Sequence, residues 1–186
     1  MFQEQIGRLR LKVKRVYNGF FPVYEVQTDR GAREVMDSRD SVNVLIYDPR
    51  WNKVLLTRQS RIAVCSEKNP QGMMLEAVAG YLDPGETPQQ AMAREAEEEV
   101  RVKIDPNEIV LMSESPLALS PGKISEKTYL GFYGKEGILN RVDTRKIGGV
   151  EGENERIEKV VMSPEQAWEE PDKDISLALL LHFFLC

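Results

Sequence analysis

Apolar and polar residues alternate at the start of the chain. Leu9, Leu11 and Val13 fall on one face, and Arg10, Lys12 and Lys14 on the other. A period of two predicts a half-buried antiparallel strand over Arg8–Tyr17. Asn18-Gly19 is a turn signal, Phe20–Thr28 resumes the extended pattern, Asp29-Arg30-Gly31 turns again, and Ala32–Met36 is a short strand. Residues 1–40 are therefore expected to form a small antiparallel sheet. Roughly 40 residues is short for an independent unit, so this sheet needs something to pack on. Beyond it, Ser41–Tyr47 and Lys53–Arg58 are apolar and β-branched around an Asp48-Pro49-Arg50 turn, as a buried central hairpin would be. Ser66–Gly72 is a loop, and Met73–Ala79 is a strand ending at Gly80.

Helical signals come next. Thr87 is a candidate N-cap for a helix over Thr87–Val100, and Pro88 stands where a first turn tolerates proline. Ala91, Ala96 and Val100 make a narrow apolar face. Ile109–Ser113, Lys127–Tyr133 and Ile157–Met162 read as strands, and the Gly-rich Lys135–Arg156 as a loop with at most a short strand. Ser163-Pro164-Glu165 opens a helix, and Asp174–Leu185 is a last, apolar one. Strands with interposed helices predict an α/β class: a mixed sheet with helices packed on it over residues 41–186.

Composition narrows the function classes. At 186 residues, 41% hydrophobic and 30% charged, the chain is long enough for a real core. Its net charge of −5 argues against a protein that coats nucleic acid. Two cysteines, Cys65 and Cys186, are too few for a disulfide scaffold and lack zinc spacing. Without a signal-peptide pattern, and without an apolar run near the roughly 20 residues that span a bilayer, a cytoplasmic location off the membrane is expected.

The informative stretch is Gly80–Val102. On a helix, residues three and four apart share a face, so Glu95, Glu98 and Glu99 crowd together. Taken alone this is an ordinary solvated acidic face. The loop before it changes the reading: Gly80 closes a strand, Asp83-Pro84-Gly85 turns tightly, and Glu86 stands where Arg94 could hold it with a bidentate fork. Clustered carboxylates on a rigid element are what a hard cation such as Mg²⁺ requires.

This segment resembles the Nudix box: Gly, five residues, Glu, seven residues, Arg-Glu, an aliphatic position, one residue, Glu-Glu, one residue, Gly, then an aliphatic. The matches are Gly80, Glu86, Arg94, Glu95, Ala96, Glu98, Glu99 and Val102. Arg101 departs, standing where the pattern has a glycine that ends the helix in a left-handed conformation. The resemblance implies a Nudix α/β/α sandwich with a mixed β-sheet, and hydrolysis of a nucleoside diphosphate linked to another group. It implies Mg²⁺ or Mn²⁺ held by Glu95, Glu98, Glu99 and the carbonyl of Ala79, with Glu98 and Arg94 in the catalytic machinery.

Four further stretches resemble the branch that cleaves ADP-ribose and nucleoside-diphosphate sugars: Arg58–Ala63, Leu75–Gly80, Ser120–Glu126 and Glu151–Ile157. By that correspondence Arg58, Arg61, Glu76 and Glu126 contact substrate, Glu153 is the general base and Glu155 an additional metal ligand. Each has a plainer reading, as surface cation, strand cap, turn or solvated loop. ADP-ribose is the expected substrate. GDP-mannose is the rival, because Gly148-Gly149-Val150-Glu151 resembles a loop of that subgroup; a non-catalytic Nudix-fold nucleotide-binding module is the alternative outside enzymes. The resemblance and the small N-terminal sheet together imply a homodimer packed through residues 1–40.

Overall fold

A computed structural model of the chain describes Ile6, residues 11–149 (Arg141 by its backbone only) and residues 156–186. It divides into two compact units, Met1–Ser41 with Ser115–Thr128, and Val42–Glu114 with Tyr129–Cys186.

In the first unit, β1 (Val13–Asn18), β2 (Pro22–Thr28) and β3 (Gly31–Met36) form a three-stranded antiparallel sheet. The β2–β3 turn is Asp29-Arg30, where the Thr28 hydroxyl donates to the Gly31 carbonyl at 2.7 Å. β1 is more exposed than its alternation predicts, with only Val13 partly covered. It is an edge strand whose register slips between Arg15 and Tyr17, which breaks the two-residue period. Residues 8–10 of the expected strand lie outside the described residues. The later Ser115–Thr128 segment belongs to the same unit. Its Ser120-Pro121-Gly122 turn closes with the Lys123 amide donating to the Ser120 carbonyl at 2.9 Å, and Ile124 bridges Met36 in parallel.

In the second unit, the sheet is built on β4 (Ser41–Asp48), β5 (Lys53–Ser60), β6 (Met73–Glu76), β7 (Val78–Tyr81), β8 (Val110–Leu111), β10 (Lys127–Gly134) and β11 (Glu158–Met162). The order is β11-β5-β4-β10-β8, with β6 beside β5 and β7 beside β4; β9 (Leu117–Ala118) pairs with the start of β10 at Lys127 and Thr128. The strand expected over Met73–Ala79 is thus two strands with different partners. Thr57 lies behind the switch, its hydroxyl donating to the carbonyls of Glu76 and Ala77 at 3.4 and 3.3 Å.

The helices are α1 (Pro88–Val100), α2 (Pro164–Glu169) and α3 (Ile175–Leu185). Both faces of β4 are covered, as an α/β/α sandwich requires. Val42, Val44 and Ile46 join Ala91, Met92, Ala96 and Val100 of α1 in one core, while Tyr47 stacks edgewise on Phe184 of α3 at 4.6 Å. The apolar last helix is a core helix, with Leu177, Leu180 and Leu181 buried and Asp174 capping the amides of Ser176 and Leu177. Burial drives the Asp174 carboxyl up from its ordinary range. Asp48, fully buried, accepts from the amides of Arg50, Gly137 and Leu139 and so ties the β4–β5 turn to the loop after β10. Among the described residues no helix is long and apolar enough to cross a membrane.

Candidate active site

The site grows out of α1 and the loop that feeds it. Thr87 caps the helix as its sequence predicts. Its hydroxyl accepts from the Gln90 amide at 3.2 Å and the Gln90 side chain returns to the Thr87 amide at 2.9 Å, a reciprocal pair worth about 1 kcal/mol. α1 packs on β7 through its apolar face, now including Met92. Two of its glutamates are not on the solvated side: Glu95 and Glu99 are 9% and 6% exposed. Packing beside β7 buries the turn-to-turn pair that charge alone would place outside.

β7 receives both carboxylates at successive residues. The Ala79 amide donates to Glu99 Oε2 at 3.2 Å. A side chain on Gly80 would overlap the Glu95 carboxyl, so the box glycine is needed for close approach rather than for a turn. Arg94 completes the arrangement. Its Nε and Nη2 hold the two oxygens of Glu86 at 3.0 Å each, Nη2 also reaches the Tyr81 carbonyl at 2.9 Å, and Nη1 donates to Glu95 at 2.7 Å and Glu98 at 3.1 Å. The Arg94–Glu86 pairing is the one the spacing predicts. Hydrogen bonds from Arg94 pull the Glu86 carboxyl below its ordinary range, and Glu86 in turn holds the guanidinium firmly protonated. Glu86 is also bound to its own turn, accepting from the Asp83 amide at 3.3 Å.

Among the described residues three carboxylates, Glu86, Glu95 and Glu98, thus hydrogen-bond one guanidinium, with Asp83 at 3.9 Å, while Glu99 is held by the Ala79 amide. That leaves a partly buried anionic excess made wholly of hard oxygen donors, the donor chemistry that suits a hard divalent cation. No three of these side chains converge on one point as they stand; they face the N–H donors just named.

A second cluster forms on β5. Counting by two from Thr57 places Thr57, Gln59 and Arg61 on one face, where Gln59 donates to Glu76 at 2.9 Å and Arg61 clasps both Glu76 oxygens at 2.8 Å. Arg58 points the other way and bonds Glu170 after α2 at 2.9 Å. Expected together as substrate contacts, the two arginines are separated by the pleat. The same alternation was the signal that would have found Gln59. In the first unit, Glu126 accepts from the Ser38 hydroxyl at 3.3 Å, and the Ser125 hydroxyl donates to Asp37 at 3.0 Å. Leu11, Val26, Val35 and Ile124 there line a cleft of 380 Å³ that also includes Arg33 and Glu126. Glu153 and Glu155 lie outside the described residues.

The departure at Arg101 has a clear consequence. Its backbone takes the left-handed conformation expected of the missing glycine, with φ of 59° and ψ of 36°, and the Val102 amide closes the helix end on the Ala96 carbonyl at 3.1 Å. For a residue with a Cβ, that conformation costs about 1 kcal/mol.

The NUDIX domain family model matches residues 37–182. A GDP-mannose pyrophosphatase of Cronobacter sakazakii is 36% identical over 140 residues, covering 75% of this chain and 68% of that protein. An ADP-ribose pyrophosphatase of Haemophilus influenzae is 29% identical over 166 residues, covering 83% and 73%. A crystal structure described as an ADP compounds hydrolase superposes with a TM-score of 0.66 over 94% of this chain and 92% of that one; at 20% identity it shows the fold.

The chain belongs to the Nudix family. The matched span includes Arg94 and its carboxylates, and the protein is a hydrolase of diphosphate bonds.

Proposed function

We propose that this protein hydrolyses the diphosphate of a nucleoside-diphosphate sugar to a nucleoside monophosphate and a sugar phosphate, with ADP-ribose as its first substrate. The observation that carries the reading is the Arg94 clamp, which holds Glu86, Glu95 and Glu98 while Glu99 meets Ala79. Glu95, Glu98 and Glu99, with the Ala79 carbonyl, are the residues that would hold Mg²⁺ or Mn²⁺. Such a cation, when bound, neutralises diphosphate charge and activates water. Arg94 orients the carboxylates, and its ion pair with Glu86 fixes the entering loop to the helix. Gln59, Glu76 and Arg61 form a preorganised polar patch in the same unit. Arg61 keeps 46% of its side chain exposed while paired, and is assigned to the substrate's phosphates with Glu76 holding it. Arg58, bonded to Glu170, and Glu126, bonded to Ser38, are the remaining assigned substrate contacts. Glu153 is assigned as base, with Glu155 as a further ligand.

The ADP-ribose pyrophosphatase relative, which aligns over 83% of this chain, supports the substrate. GDP-mannose is the second reading, supported by the relative at 36% identity. The exposed aromatics of the first unit support a homodimer, and the two exposed free thiols, Cys65 and Cys186, suit the cytoplasm. A panel of ADP-ribose, GDP-mannose and other nucleoside-diphosphate sugars, with Mg²⁺ or Mn²⁺ and product phosphates read after phosphatase treatment, tests the proposal. Fastest turnover of ADP-ribose supports the first reading, fastest turnover of GDP-mannose the second, and no turnover of any member overturns both.

A further inference from the structure

We propose that Arg101 is a positioning residue for the metal-binding helix, a role that rests on Glu99 being a metal ligand as proposed above. Its Nη2 donates to the Gly149 carbonyl at 3.1 Å. Gly148, next to it, lies so close to the last turn of α1 that a side chain there would overlap the Glu99 backbone carbonyl. Gly148 and Gly149 are both buried, and Gly148 is held from behind by Ile157, which accepts from its amide at 2.7 Å. The Arg101 side chain therefore draws the glycine pair onto the backbone of Glu99. This turn also carries the carboxylate that meets Ala79.

Burial lowers the pKa of the Lys159 ammonium, and among the described residues the guanidinium, a like charge, lies near enough to lower it further, an influence that Asp143 and Lys146 share in opposite senses. Among the described residues the guanidinium's hydrogen-bond partner is the Gly149 carbonyl. That bond ties the side chain to the loop from a left-handed backbone that disfavours a residue with a Cβ. The side chain supplies from outside the helix a restraint that a glycine at this position cannot.

The test uses the 186-residue chain and direct Mn²⁺ binding by calorimetry, alongside the Mg²⁺ dependence of hydrolysis. Arg101→Gly relieves the left-handed strain, so its melting temperature is expected to equal or exceed that of the parent. Its Mn²⁺ affinity is nonetheless expected to fall roughly tenfold, as when a supporting residue behind a ligand is lost. The Mg²⁺ concentration for half-maximal rate rises in step, with kcat at saturating metal within about twofold. Gly148→Ala, which pushes the loop from Glu99 with Arg101 intact, is expected to weaken Mn²⁺ in the same direction. Arg101→Gly with unchanged Mn²⁺ affinity overturns the role. Glu99→Gln separates the two claims: if it too binds Mn²⁺ normally, the metal reading itself fails; if it loses Mn²⁺ while Arg101→Gly does not, only the clasp fails.

Discussion

The two units bury their side chains to very different degrees. In the second, β4 is covered on both faces, and Val44, Leu45, Ile46, Leu55, Leu56 and Val78 are essentially solvent-free. In the first, the three-stranded sheet buries Tyr24 and Val26 but leaves Val16, Tyr17 and Phe20 in solvent, the last 87% exposed, with Phe21 edge-on to it at 4.8 Å. Chemistry follows that division. A site that must hold like charges close together needs a rigid frame, and Glu95 and Glu99 sit on a helix locked to a dry core. A sheet with exposed aromatics suits association, since exposed apolar patches mark interaction surfaces.

Truncating one aliphatic side chain in each unit separates them most clearly. Leu45→Ala is expected to cost about 3–4 kcal/mol in urea unfolding, whereas Val16→Ala stays within about 0.5 kcal/mol. Similar costs would mean that the first sheet has a core of its own. Arg94→Ala comes next, at about 2–3 kcal/mol, because it leaves Glu86, Glu95 and Glu98 facing one another without their cation. Turnover should be lost with it, and Arg94→Lys should restore little, since an ammonium cannot fork onto Glu86 while reaching Glu95 and Glu98.

A smaller effect separates charge from packing. The Glu86 carboxyl is held below its ordinary 4.5 by Arg94. Its folded-state pKa is depressed, so the pair's contribution is fully present above the unfolded value and is lost as pH falls through the folded one. Glu86→Gln should therefore lower stability at neutral pH and flatten the decline on the acid side, read from unfolding midpoints between about pH 7 and pH 3. An unchanged slope would show that other groups govern acid unfolding. Least costly to stability should be the paired change Phe20→Ser with Phe21→Ser. For the proposed homodimer it is expected to halve the mass seen by light scattering at micromolar protein while moving the melting temperature by only a few degrees. A dimer that survives it would place the contact elsewhere.

The same contrast explains what the sequence revealed. The α/β class, the Thr87 and Ser163 caps and the Glu86–Arg94 pairing were legible because each depends on local spacing. Arg101 takes the left-handed conformation that the resembled pattern gives to a glycine, an outcome that its own side chain does not signal. What escaped depends on partners far along the chain. The break between β6 and β7 needs Thr57, twenty residues earlier, to take the Ala77 carbonyl. The burial of Glu95 and Glu99 needs β7 alongside, so helical spacing alone showed a charged face. The buried hub at Asp48 is joined to Gly137 and Leu139, some ninety positions on, and no local signal marks it. The opposed aims of Arg58 and Arg61 could have been read from strand alternation.

We propose that the carboxylates of α1, two of them turned onto β7, would hold a divalent cation for diphosphate hydrolysis. This is tested most directly by single-turnover hydrolysis of ADP-ribose with Mg²⁺ by the parent and by Glu99→Gln, each shown to be folded. AMP and ribose 5-phosphate are expected from the parent, and a rate lower by about two or more orders of magnitude in the variant, which keeps the side-chain shape but loses the carboxylate's charge. Equal rates in the two proteins would contradict it.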